Sequence, residues 1–220
     1  MKDNYAVIVQ NNLDQLYANL PHDLAANLPG RQSENRFTFS AFGETCVIEP
    51  QQITFGGKVH HSVLGILISL YALHARPDIC LLSPLKAFKD FPNSTPYIGA
   101  FTTHTEHLLV PHLAKIKAAT PSIIETLNGE NAPPDAGGDF AFVVYPLPKI
   151  ALCYIFYEAD DDFPPSATCL FANNANLFLP IDGLADVGEY SSRKILEIID
   201  GVQHGQRHNS AFFRSCIPNE

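Results

Sequence analysis

Apolar positions recur along this chain with three different spacings, and each spacing predicts a different element. Over residues 4 to 18 they return at helical intervals. Val7, Leu13, Leu16 and Tyr17 fall loosely on one face, with Gln10, Asn11, Asp14 and Gln15 elsewhere, which predicts an amphipathic helix. Pro21 suits the first turn of a short second helix that ends near Leu28, before Pro29-Gly30. From Arg36 the period changes to two. Phe37 and Phe39 alternate with Thr38 and Ser40, Gly43 turns the chain, and Cys46-Val47-Ile48 returns as the second arm of a hairpin.

Phe55-Gly56-Gly57-Lys58 punctuates the chain before an apolar stretch at 61 to 75, which predicts a buried helix. Between Pro77 and Asn128 the pattern is helical but interrupted by prolines, so short helices are expected at 98–109, 111–118 and 121–127. Residues 131–138 hold two prolines and two glycines and read as a loop. Beyond them, Phe140–Tyr145 and Ile150–Tyr157 are apolar on both parities, the signature of strands covered on both faces. The link Pro146-Leu147-Pro148-Lys149 is too short for a crossover, so this pair must be antiparallel. Thr168–Phe171 and Asn176–Leu179 suggest a further pair about Asn173-Asn174. A last helix is expected to open on a capping box, Asp186 with Glu189, bury Ile195, Leu196, Ile198 and Ile199, and stop at Gly201. The expected fold is therefore α+β: one domain over residues 1–200, an antiparallel sheet of about four to six strands with helices packed against it, and a tail at 201–220.

Composition changes this picture by exclusion. Hydrophobic residues make up 46% of the chain and charged residues 17%, ample for a core and unlike a disordered segment. Fourteen Lys and Arg stand against 23 Asp and Glu, and no basic run exceeds Arg193-Lys194. A nucleic acid partner, which needs clustered cations, is not expected, nor is adsorption to an anionic membrane. The apolar stretch 62–73 is too short to span a bilayer. The cysteines at 46, 80, 153, 169 and 216 are isolated, which offers no close ligand pair for zinc or an iron–sulfur cluster. Cys153 and Cys169 sit on strands expected to be neighbours, so a bridge is geometrically allowed, but buried thiols in a cytoplasmic protein are the simpler reading.

The chemistry concentrates in one acidic stretch, Tyr157-Glu158-Ala159-Asp160-Asp161-Asp162-Phe163-Pro164-Pro165. In extended backbone Glu158, Asp160 and Asp162 would share a face, with Asp161 on the other. Three carboxylates on one side suit a hard cation. Equally, they suit the charged bend where a buried strand leaves the core, and the Phe-Pro-Pro that follows breaks any calcium-loop pattern; the bend is preferred and no metal is assigned. Gly137-Gly138-Asp139 precedes the first long strand, and the antiparallel pairing places Asp139 beside residues 158–162, with Lys149 at the other end of the sheet. His104-Thr105-Glu106-His107 lacks the four-residue spacing of a zinc-protease helix, and Gly56-Gly57-Lys58 lacks the upstream Gly and following Ser or Thr of a phosphate loop.

The order Gly138-Asp139, Leu147-Pro148-Lys149, Asp161-Asp162-Phe163-Pro164, Leu170-Phe171 and Leu179-Pro180 resembles the family named domain of unknown function 3786. Upstream, Ser62–Tyr71, Phe88-Lys89-Asp90-Phe91-Pro92, Tyr97 and Phe101 are similar to it in the same order, so the likeness spans about 36–200. The chain departs from the family pattern at Ala172, where an Asp is usual, and at Asp182, where a Glu is common. The resemblance implies a cytoplasmic protein with relatives that carry an iron–sulfur module, and so, by analogy, a redox or corrinoid partner protein. It brings no activity and no cofactor. The expected function is an accessory domain that binds a small ligand in an acidic cleft formed by Gly138, Asp139, Glu158, Asp160, Asp161 and Asp162. One alternative is a hydrolase or isomerase with Asp139 and Asp161 or Asp162 as acid and base and Lys58 or Lys149 binding an anionic group; another is a structural interaction module.

Overall fold

The computed structural model describes residues 4–20 and 24–213. The expected helix start at Pro21 and the end of the tail, with Cys216, lie outside the described residues. The chain opens with helix α1 (Asn4–Ala18), which buries Val9, Leu13 and Leu16; Val7, expected on this face, is exposed. The short helix α2 (Leu24–Asn27) follows.

The first sheet is a meander of β1 (Arg31–Ser33), β2 (Arg36–Ala41), β3 (Glu44–Glu49), β4 (Gln52–Phe55) and β5 (Lys58–Val59), each strand antiparallel to the next. Its period-two pattern is honest: Phe37 and Phe39 stand opposite Ile48 and Cys46, and all four are buried. Helix α3 (Val63–Leu73) then packs against α1 and carries Tyr71 into the core.

The second sheet has the order β6 (Lys86–Ala87), β10 (Ser166–Phe171), β9 (Ile150–Tyr157), β8 (Phe140–Leu147), β7 (Glu130–Asn131), again antiparallel throughout. The fold is thus α+β as expected, with five strands in each of two sheets instead of one sheet alone. Strand β9 lies at the centre. Leu152, Tyr154 and Phe156 face the main core, while Ala151, Cys153 and Ile155 face a second cluster under the loops that carry Cys80, Leu82, Ala132 and Ala136. Both faces are covered, which is why every residue from Ile150 to Phe156 is apolar. The two sheets are joined where the Phe42 N–H donates to the Pro146 carbonyl at 2.7 Å, and α3 is tied to the second sheet where the Lys149 N–H donates to Tyr71 Oη at 3.0 Å.

The helix expected at 98–109 is broken up: α4 (Ile98–Phe101) passes into a π-helical turn at Thr102–Glu106 and a 3-10 stretch at His107–His112. Three further expectations differ. The helices expected at 111–118 and 121–127 are one helix, α5 (Leu113–Thr126), with Pro121 inside it. Proline costs a helix interior about 3 kcal/mol, but Ile116, Ala119 and Ile123 bury a continuous stripe against the second sheet and the last helix, and packing of that kind dominates helix stability. Asn176–Leu179 is not a strand; residues Ala175–Leu177 form a 3-10 turn. Here Asn173 and Asn174 are tied to the segment 79–84 by four hydrogen bonds of 2.8 to 3.1 Å, so the chain cannot turn back into the sheet. Finally, the last helix is α6 (Ile181–Phe213), which starts before Asp186 and continues through Gly201. The spacing read as a capping box at Asp186 and Glu189 is simply three residues of helix. The true first turn holds Asp182, whose Oδ1 accepts the Gly183 N–H at 2.9 Å.

Two consequences can be measured. Phe156 is fully buried and stacks on Phe140 at 4.6 Å, so Phe156→Ala should cost about 3–5 kcal/mol in urea unfolding. Asp186 is half-buried on α6, and burial, then the charges of Asp182 and Glu189, push its carboxyl up to about 6. A carboxyl whose folded-state value exceeds its unfolded one favours folding when protonated, so stability is lost as pH rises from about 4 through about 6. Asp186→Asn should flatten that part of the stability–pH curve and raise the melting temperature at pH 7; a variant that melts earlier at pH 7 contradicts this.

Candidate functional site

The β8–β9 register pairs Phe140 with Phe156 and Leu147 with Ile150. Asp139, just before β8, and Glu158, just after β9, therefore meet at one end of the sheet. The contact is direct: Asp139 Oδ2 accepts the Glu158 N–H at 2.6 Å, and the Asp139 N–H donates to the Phe156 carbonyl at 2.8 Å. The two glycines before it serve the strand partner. Gly137 and Gly138 have φ of 84° and 77°, and a Cβ on Gly138 would stand 2.6 Å from Ile155 Cγ2. Gly138 lets this loop lie flat on β9.

Past Glu158 the backbone does not stay extended. Asp160 Oδ1 accepts the N–H groups of Asp162 and Phe163 at 2.9 and 2.7 Å, and the Asp160 N–H donates to the Phe163 carbonyl at 3.1 Å. The chain bends at Asp161 and Asp162, so the expected alternation of faces ends at Asp160. A cavity of about 510 Å³ forms inside this bend, lined by Asp139, Tyr157, Glu158, Asp160, Phe163, Pro164 and Ser166. Asp161 and Asp162 are exposed and stand outside its walls. The cavity pairs carboxylates with aromatic surface: Phe163 is 70% exposed and Tyr157 43%. A larger groove of about 710 Å³ lies at the turns 33–36 and 49–52, but its walls are almost wholly polar turn residues, and Arg36 lies 4.0 Å from Glu49 within it.

The two lysines named with this site lie elsewhere. Lys149 occupies the opposite end of the hairpin, as expected. Its stem is buried, Nζ donates to the Arg76 carbonyl at 2.5 Å and sits 5.7 Å from the Phe178 ring, and burial holds its pKa below the usual lysine value. It fastens the segment after α3 to the sheet. Lys58 is exposed on β5, the outer strand of the first sheet, and does not line the cavity. The cation at the corner is Lys117 of α5, whose Nζ lies 2.8 Å from Glu158 Oε2 and 5.6 Å from the Phe140 ring. Forty-one residues separate Lys117 from Glu158, and no local pattern announces the pair. His104 and His107 are exposed. Among the described residues, no three His, Cys, Asp or Glu side chains gather as a metal ion would require.

The molecule is thus an α+β domain of two five-stranded antiparallel sheets, with an open acidic and aromatic cleft at one end of the second. The chain belongs to the family described as domain of unknown function (DUF3786), whose model matches residues 21–194. No curated protein and no solved structure matches it. The family match carries nothing about iron–sulfur modules, so that part of the expectation gains no support.

Asp160 organises the bend, while the exposed Asp161 side chain makes no hydrogen bond or ion pair among the described residues. Asp160→Ala should cost about 1 kcal/mol by loss of its accepted hydrogen bonds, and Asp161→Ala should stay within about 0.5 kcal/mol of wild type. Denaturant midpoints of the two variants, measured side by side, check the difference.

Proposed function

We propose that this protein is a small-ligand-binding domain and that the cleft at Asp139, Glu158 and Asp160 takes an organic cation. The observation that carries the reading is the pairing of carboxylates with exposed aromatic surface in one cavity. Glu158 is already paired with Lys117, so a cation placed there gains mainly from Asp139 and Asp160 and from the face of Phe163 or Tyr157, a contact worth about 0.5–1 kcal/mol at an exposed ring. The formal net charge of −9 draws cations toward the molecule as a whole.

Acid–base catalysis by paired Asp residues has less behind it. Asp139 and Asp160 spend carboxylate oxygens on backbone N–H groups, and among the described residues no His, Cys or Lys lines the cavity. A cytoplasmic setting is supported by the free thiols of Cys46, Cys80, Cys153 and Cys169. Among the described residues, no helix is long and apolar enough to cross a membrane.

Calorimetric titration with spermidine tests the proposal. Wild type should bind saturably and more weakly as salt is added. Asp139→Asn, which retains an acceptor for the Glu158 N–H, and Phe163→Ala should each weaken binding several-fold. A flat wild-type titration, or variants that bind like wild type, would remove the cleft from consideration.

A further inference from the structure

A second cavity opens farther along β10 of the second sheet, where Thr168 borders it two residues on from Ser166 of the first cleft. Strand β6 pairs only Lys86 and Ala87 with Phe171 and Leu170, and the chain then leaves as the 3-10 turn Phe88–Asp90. Beyond the last β6 partner, the Cys169 N–H is met by a side chain: Glu106 Oε1 accepts it at 3.0 Å. In the gap lies a cavity of about 240 Å³ with Phe88, Ile98, Phe101 and Leu170 among its apolar walls and Glu106 at its polar side. Phe88 and Phe101 stack at 4.3 Å with their planes 7° apart, so this wall is rigid and flat.

Glu106 is aimed there by unusual backbone. Thr102–Glu106 forms a π-helical turn, a feature frequent at functional sites. The turn is pinned from the far side, where Ser192 Oγ donates to the Thr105 carbonyl at 2.7 Å and lies 3.0 Å from the buried Tyr154 hydroxyl. Thr105 faces α6 closely enough that a Cβ on Gly188 would stand 2.8 Å from its Oγ1. Consecutive residues thus point in opposite directions, Thr105 to the helix and Glu106 to the cavity.

We propose that this cavity binds a small primary ammonium compound with a short apolar chain. A carboxylate has roughly four acceptor positions, so the Cys169 N–H leaves capacity for an ammonium. The apolar walls would take the chain, and 240 Å³ holds a molecule the size of about eight waters at ~30 Å³ each. Lys89 also borders the cavity, but it is solvent-exposed and its field is screened, whereas Glu106 is half-buried. The balance favours a cation over an anion.

The site is separate from the cleft at Asp139, and the test keeps the two apart. The full chain, labelled with nitrogen-15, is titrated with n-hexylammonium chloride and, separately, with 1-hexanol. The ammonium should give saturable amide shifts centred on Phe88, Thr102 and residues 168–170, and hexanol should bind roughly ten-fold more weakly or worse. Glu106→Gln keeps an oxygen for the Cys169 N–H but removes the charge, and should weaken ammonium binding by roughly the same factor. Asp161→Ala, which lies outside the walls of both cavities, should leave this binding unchanged. The proposal is overturned if hexanol binds as tightly as the ammonium, if Glu106→Gln binds like wild type, if the shifts centre on Asp139, or if no saturable response occurs. Should Glu106→Gln fail to fold, the comparison of hexanol with the ammonium on wild type decides.

Discussion

Coverage of β9 on both faces is the constraint from which the rest of the structure follows. A strand with Leu152, Tyr154 and Phe156 on one side and Ala151, Cys153 and Ile155 on the other cannot present either side to water. Helices α5 and α6 close the first side together with the opposing sheet. Among the described residues, no helix covers the second side. It is closed by irregular chain from residues 80–85 and 132–136, and irregular chain needs its backbone groups satisfied one by one. Asn173 and Asn174 do this for the first of these segments, and Lys149 Nζ does it for the Arg76 carbonyl upstream of it. These polar residues are the cost of an apolar strand covered by loops.

Both cavities are by-products of the same demand. At one end, β8 and β9 must enter and leave a dry sheet, and the emerging chains tie their backbone to Asp139 and Asp160. The resulting bend leaves a cavity with Phe163 and Pro164 among its walls, and Phe163 stays largely exposed. Farther along β10, its partner β6 is only two residues long, and the unmet Cys169 N–H is answered by Glu106. A buried donor left without an acceptor costs about 1–3 kcal/mol, so the Glu106 contact also contributes to folding. In each case a carboxylate that completes the backbone also lines a cavity, which joins fold and binding chemistry in one side chain.

Much of this was legible along the chain because some signals are local. The β8–β9 hairpin could be read from two apolar runs and a link too short to cross over, and with it the meeting of Asp139 and Glu158. The acidic stretch could not be read past Asp160, since extended and bent backbone have the same residues and only the hydrogen bonds to Asp160 decide between them. Pro121 misled because its cost is local while the compensating burial of Ile116, Ala119 and Ile123 is not. Asp186 and Glu189 misled because a capping box and three residues inside a helix share one spacing.

The sequence by itself determined the class of fold, the pairing and direction of the long strands, and which residues are too apolar to meet water. Periodicity, turn chemistry and the length of a link depend on neighbours a few positions apart, and the chain writes them openly. The tertiary structure alone decided that there are two sheets, that Lys117 rather than Lys58 or Lys149 joins the acidic corner, and that Glu106 turns toward Cys169 while Thr105 turns toward α6. Those pairings span 41 to 87 residues. They exist because packed elements bring distant groups within hydrogen-bond reach, and no short-range pattern carries that information.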